Sequence, residues 1–388
     1  MTEQRARLSK TAGYYAAFIA LGLTSASLGP TLSGLAANTG TAISQISILF
    51  SARAFGYLLG SLLGGRLFDR MRGHPVMALM LAGMVTSMAL VPGLKLLWLL
   101  ALVILLIGVA EGSVDVGANT LIVWVHRGDV GPYMNGLHFF YGVGAFISPL
   151  IVGQVLLRSG GGITWAYWVV AVIMVPVVLY MARQPSPVNQ DVIEKDSADT
   201  KLASPALVAL ISLFIFLYVG AEISFGGWIY TYAVALGLAT PAAAAYLTSG
   251  FWGALTVGRL LAIPVAARFR PRTILLVDLL GSMAAVGLIL VYPASLTVAW
   301  VGSIGAGLFM ASVFPTTLSL AERRMPITGQ VTSWFFVGAS LGSMTVPYII
   351  GQLFESTGPV VTMIAILICL VLAVGVYTRV VGWKTKEG

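Results

Sequence analysis

Glu111, Asp115 and Asn119 stand four residues apart inside an otherwise apolar run of the chain. At helical spacing they form one polar stripe on one face. Arg127 is the first arginine beyond them, which places Asp115 about 18 Å along a helix from that basic end. A carboxylate in a low-dielectric interior can give up its charge by taking a proton or pairing with a cation such as sodium. Asp115 and Glu111 are therefore candidates for ion coupling. A third carboxylate lies in Gly220-Ala-Glu222-Ile-Ser224-Phe-Gly226-Gly227-Trp228-Ile-Tyr230. Glu222 is a candidate for ion coupling and for solute binding, because a carboxylate accepts hydroxyl hydrogen bonds. The glycines would let a helix open locally, and Trp228 would offer its ring to the apolar face of a pyranose. Asn119, Asn135, His138, Tyr141, Gln330 and Trp334 complete the candidate binding set, with His138 able to relay a proton near neutral pH. Arg53 is read as the partner of Glu111, and Arg259 as a structural partner of Asp278. The sequence carries no metal-ligand cluster, phosphate-binding loop or nucleophilic triad. No metal site and no cofactor are expected beyond a coupling proton or sodium ion, and neither ATP-driven transport nor enzyme catalysis.

The elements that must position these groups follow from composition. Of 388 residues 58% are hydrophobic and only 9% charged, with a mean hydropathy of +0.93. A soluble domain needs about 25% charged residues to cover its surface; this chain needs lipid as its solvent. A crossing takes about 20 apolar residues. Apolar runs fall at about 12–36, 43–66, 75–92, 96–124, 134–157 and 163–182, and again at about 205–236, 242–267, 273–292, 295–320, 329–354 and 358–381. With the N-terminus cytoplasmic, Arg5, Arg7, Lys10, Arg66, Arg70, Arg72, Arg127, Arg183, Lys195, Lys201, Arg268, Arg270, Arg272, Arg323, Arg324, Arg379, Lys384 and Lys386 fall inside. Only Lys95 and Arg158 fall outside, and Arg53 and Arg259 lie within runs. This asymmetry is the positive-inside pattern for twelve crossings with both termini cytoplasmic. It also accounts for a pI of 9.6, so nucleic acid is not an expected partner. The first run is too long for a signal-peptide core and reads as a retained span. The single cysteine, Cys369, excludes an intrachain disulfide.

The chain repeats at an offset of about 198 residues: Gly144, Pro149, Gly153 and Gln154 correspond to Gly342, Pro347, Gly351 and Gln352, and Gly60 to Gly258. Between the copies lies a hydrophilic stretch with Pro185, Pro187 and a mixed-charge run from Asp191, too polar to order itself. The expected organisation is an N-terminal six-helix bundle over 1–182, a cytoplasmic linker over 183–204 and a C-terminal six-helix bundle over 205–388. Parallel six-helix repeats of this kind are the plan of major facilitator transporters, whose solute site lies midway between the halves. The loop Gly65-Arg-Leu-Phe-Asp69-Arg70-Met-Arg72-Gly73 resembles that superfamily's signature G-x-L-x-D-R-x-G-R-R. As a gate, Asp69 would meet the positive N-terminus of the helix starting near Gln330, with Arg70 and Arg72 on acids or headgroups.

Further stretches narrow the resemblance. Ser51-Ala-Arg-Ala-Phe-Gly-Tyr-Leu-Leu-Gly-Ser, Asp115-Val-Gly-Ala-Asn119, Gly131-Pro-Tyr-Met-Asn-Gly-Leu-His138 and Tyr218-Val-Gly-Ala-Glu222 together resemble the sodium-dependent glucose transporter-like branch, related to the fucose–proton permeases. The resemblance implies an all-α membrane protein of twelve transmembrane helices that moves a sugar or similar small polar solute by alternating access, coupled to a proton or sodium ion. Asp115 and Asn119 match the acid-x-x-x-Asn of fucose permeases, whereas His138 and Tyr141 replace the polar residues those permeases carry before Gly144-Ala145, and the first span lacks their acid. A monomer in a bacterial inner membrane is expected. An exporter of drugs or lipids on the same fold and a non-transporting membrane receptor remain the alternative readings.

Overall fold

The computed structural model describes residues 3–127, 130–187 and 204–383; the middle of the expected linker lies outside the described residues. Among them, eleven helices are long and apolar enough to cross a membrane, and a bent pair makes a twelfth. We number the spans in chain order: α1 in two pieces, Glu3–Ser25 and Leu28–Thr39; α2, Ile48–Arg70, preceded by the single turn Ile43–Ile46; α3, Gly73–Leu90; α4, Leu97–His126; α5, Gly131–Arg158; and α6, Thr164–Arg183. The second half supplies α7, Pro205–Ala235; α8, Pro241–Arg268; α9, Pro271–Val291; α10 in two pieces, Leu296–Met310 and Val313–Glu322; α11, Gly329–Thr357; and α12, Val361–Val381. The chain is thus an all-α, multi-pass membrane protein.

Helices are the form a lipid-embedded chain must take, since every backbone amide needs an internal partner there. Where a span starts, the sequence supplies what its first turn lacks. Thr240, Ser295 and Thr328 accept the backbone N–H groups of Ala243, Val298 and Val331 at 3.3 Å, and Pro205, Pro241 and Pro271 open their helices without needing a donor. Leu102, Val172, Val277 and Leu372 line the outside, where lipid is their solvent. Arg70, Arg72, Arg268, Arg270, Arg272, Arg323 and Arg379 mark one end of the bundle, called here the basic end; the opposite end is the far end.

Glycines set which helices touch. A Cβ on Gly56 or Gly60 would meet the carbonyl oxygen of Leu105 or Val109, and one on Gly108 or Gly112 that of Arg53 or Tyr57. Small residues four apart thus bring the α2 and α4 backbones into direct contact. The same device joins α1 to α5 (Gly22 on Tyr141, Gly144 on Ile19), α7 to α11 (Gly342 on Phe216) and α8 to α10 (Gly258 on Leu308, Gly307 on Phe251). The pairing of the first six helices recurs in the second six, with Gly60 and Gly144 matched by Gly258 and Gly342. Between the halves, α5 crosses α8, α2 crosses α11, and the second piece of α1 crosses α7.

Polar contacts bolt the halves together at the far end. Glu355 of α11 accepts the backbone N–H of Ile43 at 3.0 Å and the hydroxyl of Ser44 at 2.9 Å. Gln352 donates to the Ser44 carbonyl at 2.6 Å, and Gln154 of α5 to Tyr246 of α8 at 2.5 Å. Toward the basic end, by contrast, Asn135, His138, Gln330 and Trp334 are exposed.

Candidate functional site

Because glycines fix the α2–α4 distance, their side chains face each other as rungs. Arg53 and Tyr57, four apart on α2, meet Glu111 and Asp115, four apart on α4. On the first rung Arg53 donates through Nε and Nη2 to the two oxygens of Glu111, at 2.8 and 2.9 Å. Only 19% of the arginine side chain and 2% of the glutamate side chain remain accessible. A bidentate, charge-assisted pair is the arrangement in which two charges can share a membrane interior. The second rung is different in kind. Asp115 accepts the Tyr57 hydroxyl and, at 3.0 Å, the Asn119 amide, which also donates to the Asp115 carbonyl at 2.9 Å. Its donors are neutral, so Asp115 has no counter-charge bonded to it.

The second half holds a comparable unit. Glu222 of α7, 9% exposed, faces the hydroxyl of Tyr218, one turn earlier, at 2.5 Å. Tyr218 is also 2.5 Å from the Met310 carbonyl, which is freed because α10 breaks at Ala311 and Ser312 and the last carbonyls of a helix have no partner of their own. A tyrosine has one proton to give, and a carbonyl can only accept. Tyr218 donates to the Glu222 carboxylate, and the Met310 carbonyl stands against the same hydroxyl.

Tyr141 of α5 lies between the two units. Its hydroxyl shares a 2.8 Å hydrogen bond with Ser25 at the α1 break, and it is within electrostatic range of both Arg53 and Arg259. His138, one turn away, is exposed, stands edge-on to Phe18 with ring centroids 5.9 Å apart, and is also within range of Arg259.

Several expectations are changed by the structure. Arg259 does not pair with Asp278: the α10 break puts Ser312 Oγ on that carboxylate instead, and among the described residues no ion pair or hydrogen bond engages Arg259. Trp228 is not an open platform. It is fully buried, donates to the Pro347 carbonyl at 3.1 Å and stacks on Phe354 at 5.2 Å. Nor do Gly226 and Gly227 unwind α7, which runs unbroken; a Cβ on Gly29 would meet their carbonyls, so they serve the crossing with α1. The helix breaks fall in α1, bent by 46°, and in α10. Asn135, Gln330 and Trp334, the last 54% exposed, stand toward the basic end rather than at the rungs. Of the gate residues, Gly65 has open space around it and Arg70 and Arg72 are exposed; the side chain of Asp69 lies outside the described residues. Among the described residues no group of three or more metal-ligating side chains gathers.

Tyr57, Tyr218 and Ser25 were not singled out from the sequence. Tyr57 had a readable signal, because it follows Arg53 by the interval that separates Asp115 from Glu111. Tyr218 likewise precedes Glu222 by four.

Comparison with known proteins agrees with this architecture. Residues 14–347 match the profile of the Major Facilitator Superfamily. The chain is 31% identical over 376 residues to sodium-dependent glucose transporter 1A of Mus musculus, covering 87% of this chain and 88% of that protein. It is 30% identical over 375 residues to sodium-dependent glucose transporter 1 of Homo sapiens, covering 87% and 72%. Among solved structures, a bacterial homolog of the human lysosomal transporter Spinster superposes with a TM-score of 0.77 at 12% identity, over 97% of this chain and 96% of that one. The fucose:proton symporter of E. coli superposes with a TM-score of 0.65 at 17% identity, over 98% and 100%.

Proposed function

This chain belongs to the Major Facilitator Superfamily, and we propose that the solute it carries is a sugar or similar small polar molecule, coupled to a proton or sodium ion through Asp115 and Glu222. Members of the superfamily are carriers, not enzymes, and secondary transport of a small solute across a bilayer by alternating access follows from membership. The sugar and the ion are our inference.

One observation carries it. Each half presents a carboxylate with no bonded counter-charge, held by a tyrosine one turn or one helix away: Asp115 by Tyr57 and Glu222 by Tyr218. A carboxylate in such a place is costly to leave ionised, so loading it with a proton or sodium ion is a natural first step. The Arg53–Glu111 rung is already neutral and serves to hold α2 on α4. Tyr141, Asn119 and His138 supply hydroxyl, amide and imidazole groups to a polyhydroxylated solute between the units. Gly65, Asp69, Arg70 and Arg72 form the gate at the basic end, with Asn135, Gln330 and Trp334 along the approach to it. Trp228 belongs to the far-end closure and would meet solute only when that end opens. The asymmetry of the basic residues supports a cytoplasmic basic end with both termini on that side, in a monomer of a bacterial inner membrane. The sodium-dependent glucose transporters among its relatives and the fucose:proton symporter among its structural neighbours support a sugar and leave both ions in play.

The test is counterflow of radiolabelled hexoses by the purified chain in proteoliposomes, with and without sodium and at two pH values. Saturable exchange is expected; a chain that binds a hexose but moves none would be a receptor. Glu222→Ala should weaken hexose binding about tenfold, the loss of one charge-assisted hydrogen bond, read by thermal shift. An unaltered affinity removes Glu222 from the site.

A further inference from the structure

Two arginines lie deep in the spans, and they are treated differently. Arg53 is neutralised by a bidentate carboxylate. Arg259 is half-buried on α8 and has no ion pair or hydrogen bond among the described residues. Asp278, the acid nearest to it in the sequence of the second half, is bonded to Ser312. Glu222 is within electrostatic range of Arg259, but its hydrogen bond goes to Tyr218 and not to the guanidinium. A charged side chain within a span is costly even at the helix centre of a protein-lined bundle. One kept there without a partner has its partner arrive from outside.

What surrounds it indicates which partner. Arg259 is within electrostatic range of Tyr141 and His138, which sit on α5 across the boundary between the halves. We infer that Arg259 anchors a negatively charged group on the transported solute, so that the solute is a sugar acid rather than a neutral sugar. This rests on the carrier reading above and narrows it. A carboxylate is the fitting anion. The planar guanidinium matches its two oxygens, and a single positive charge with no ion pair balances a monoanion, whereas a phosphate monoester brings about −1.5 to −2 and would need a second cation. The other deep cation, Arg53, is already committed. Tyr141 and Asn119 remain for the hydroxyls.

The experiment uses matched probes on the purified full-length protein: D-glucuronate against D-glucose and against the uncharged methyl ester of glucuronate, with the same comparison for galacturonate. Binding is read by thermal shift and transport by counterflow in proteoliposomes. The acid should bind at least tenfold more tightly than either neutral counterpart. Arg259→Gln should erase that preference, and Arg259→Lys should retain part of it, keeping the charge without the fork. The methyl ester decides the matter without any variant, should the substituted proteins fail to fold. A neutral sugar that binds as well as its acid, or an acid preference that survives Arg259→Gln, overturns the anionic solute and leaves the sugar carrier standing. Binding and flux of none of these probes overturns both.

Discussion

Asp115→Asn is expected to abolish uphill accumulation of solute in proteoliposomes, bringing the inside-to-outside ratio to about one, while counterflow exchange persists. The reasoning is local. Asparagine has the shape of aspartate and an oxygen that still accepts the Tyr57 hydroxyl, so the second rung between α2 and α4 keeps its contact. What it loses is the ability to change charge. Asp115 is held by neutral donors only, Tyr57 and Asn119, so the free energy of its ionised form depends directly on whether a proton or sodium ion is present. A carrier can concentrate solute only by the difference in ion free energy that such a group conveys between states. With the group made permanently neutral, exchange of solute for solute needs no net ion movement and continues. Accumulation at the wild-type level in Asp115→Asn would remove this carboxylate from coupling.

The largest stability effect is expected at the first rung. Arg53→Gln or Glu111→Gln alone leaves an uncompensated charge between α2 and α4, at a cost of about 3–5 kcal/mol, read as a loss of thermal stability in detergent. The double substitution should recover most of that loss, since both charges are then absent and two amides can bond across the same gap. The glycine crossing at Gly56, Gly60, Gly108 and Gly112 holds the helices together in either case. Additive losses in the double variant would show that the two residues act independently, contrary to their 2.8 and 2.9 Å contacts.

Much of this was legible in the residues. Hydropathy and the cation asymmetry indicate the number of crossings because lipid permits few alternatives, and every expected span is present, the first beginning nine residues earlier, at Glu3, than its apolar run. The glycine, proline and glutamine repeat marks real structural equivalence: Gly144 and Gly342 each lie on the backbone of a neighbouring helix in their own half. The i, i+4 stripe of α4 correctly implied a protein-facing surface. The breaks were harder. Their signal lies four residues on, where Pro30 and Pro315 have no N–H to give the Ala26 and Ala311 carbonyls, whereas the glycines that look like an interruption, Gly226 and Gly227, are used for close packing. The α10 break then redirected two side chains at once, giving Met310 to Tyr218 and Ser312 to Asp278. That is why Arg259 lost the partner its sequence position suggested. Trp228 was misjudged for a related reason: an aromatic after two glycines fits a sugar platform, but the closeness those glycines permit is what buries it.

Alternating access is tested most directly by paired spin-label distances on the reconstituted protein. One pair belongs at the far end, on exposed Ala37 and Ala235, and one at the basic end, on exposed Arg70 and Arg323. As pH, sodium and a hexose or hexuronate are varied, the far-end distance should lengthen in the same population in which the basic-end distance shortens. Distances that stay fixed at both ends, or that lengthen together, would contradict a carrier whose two halves rock about Asp115 and Glu222.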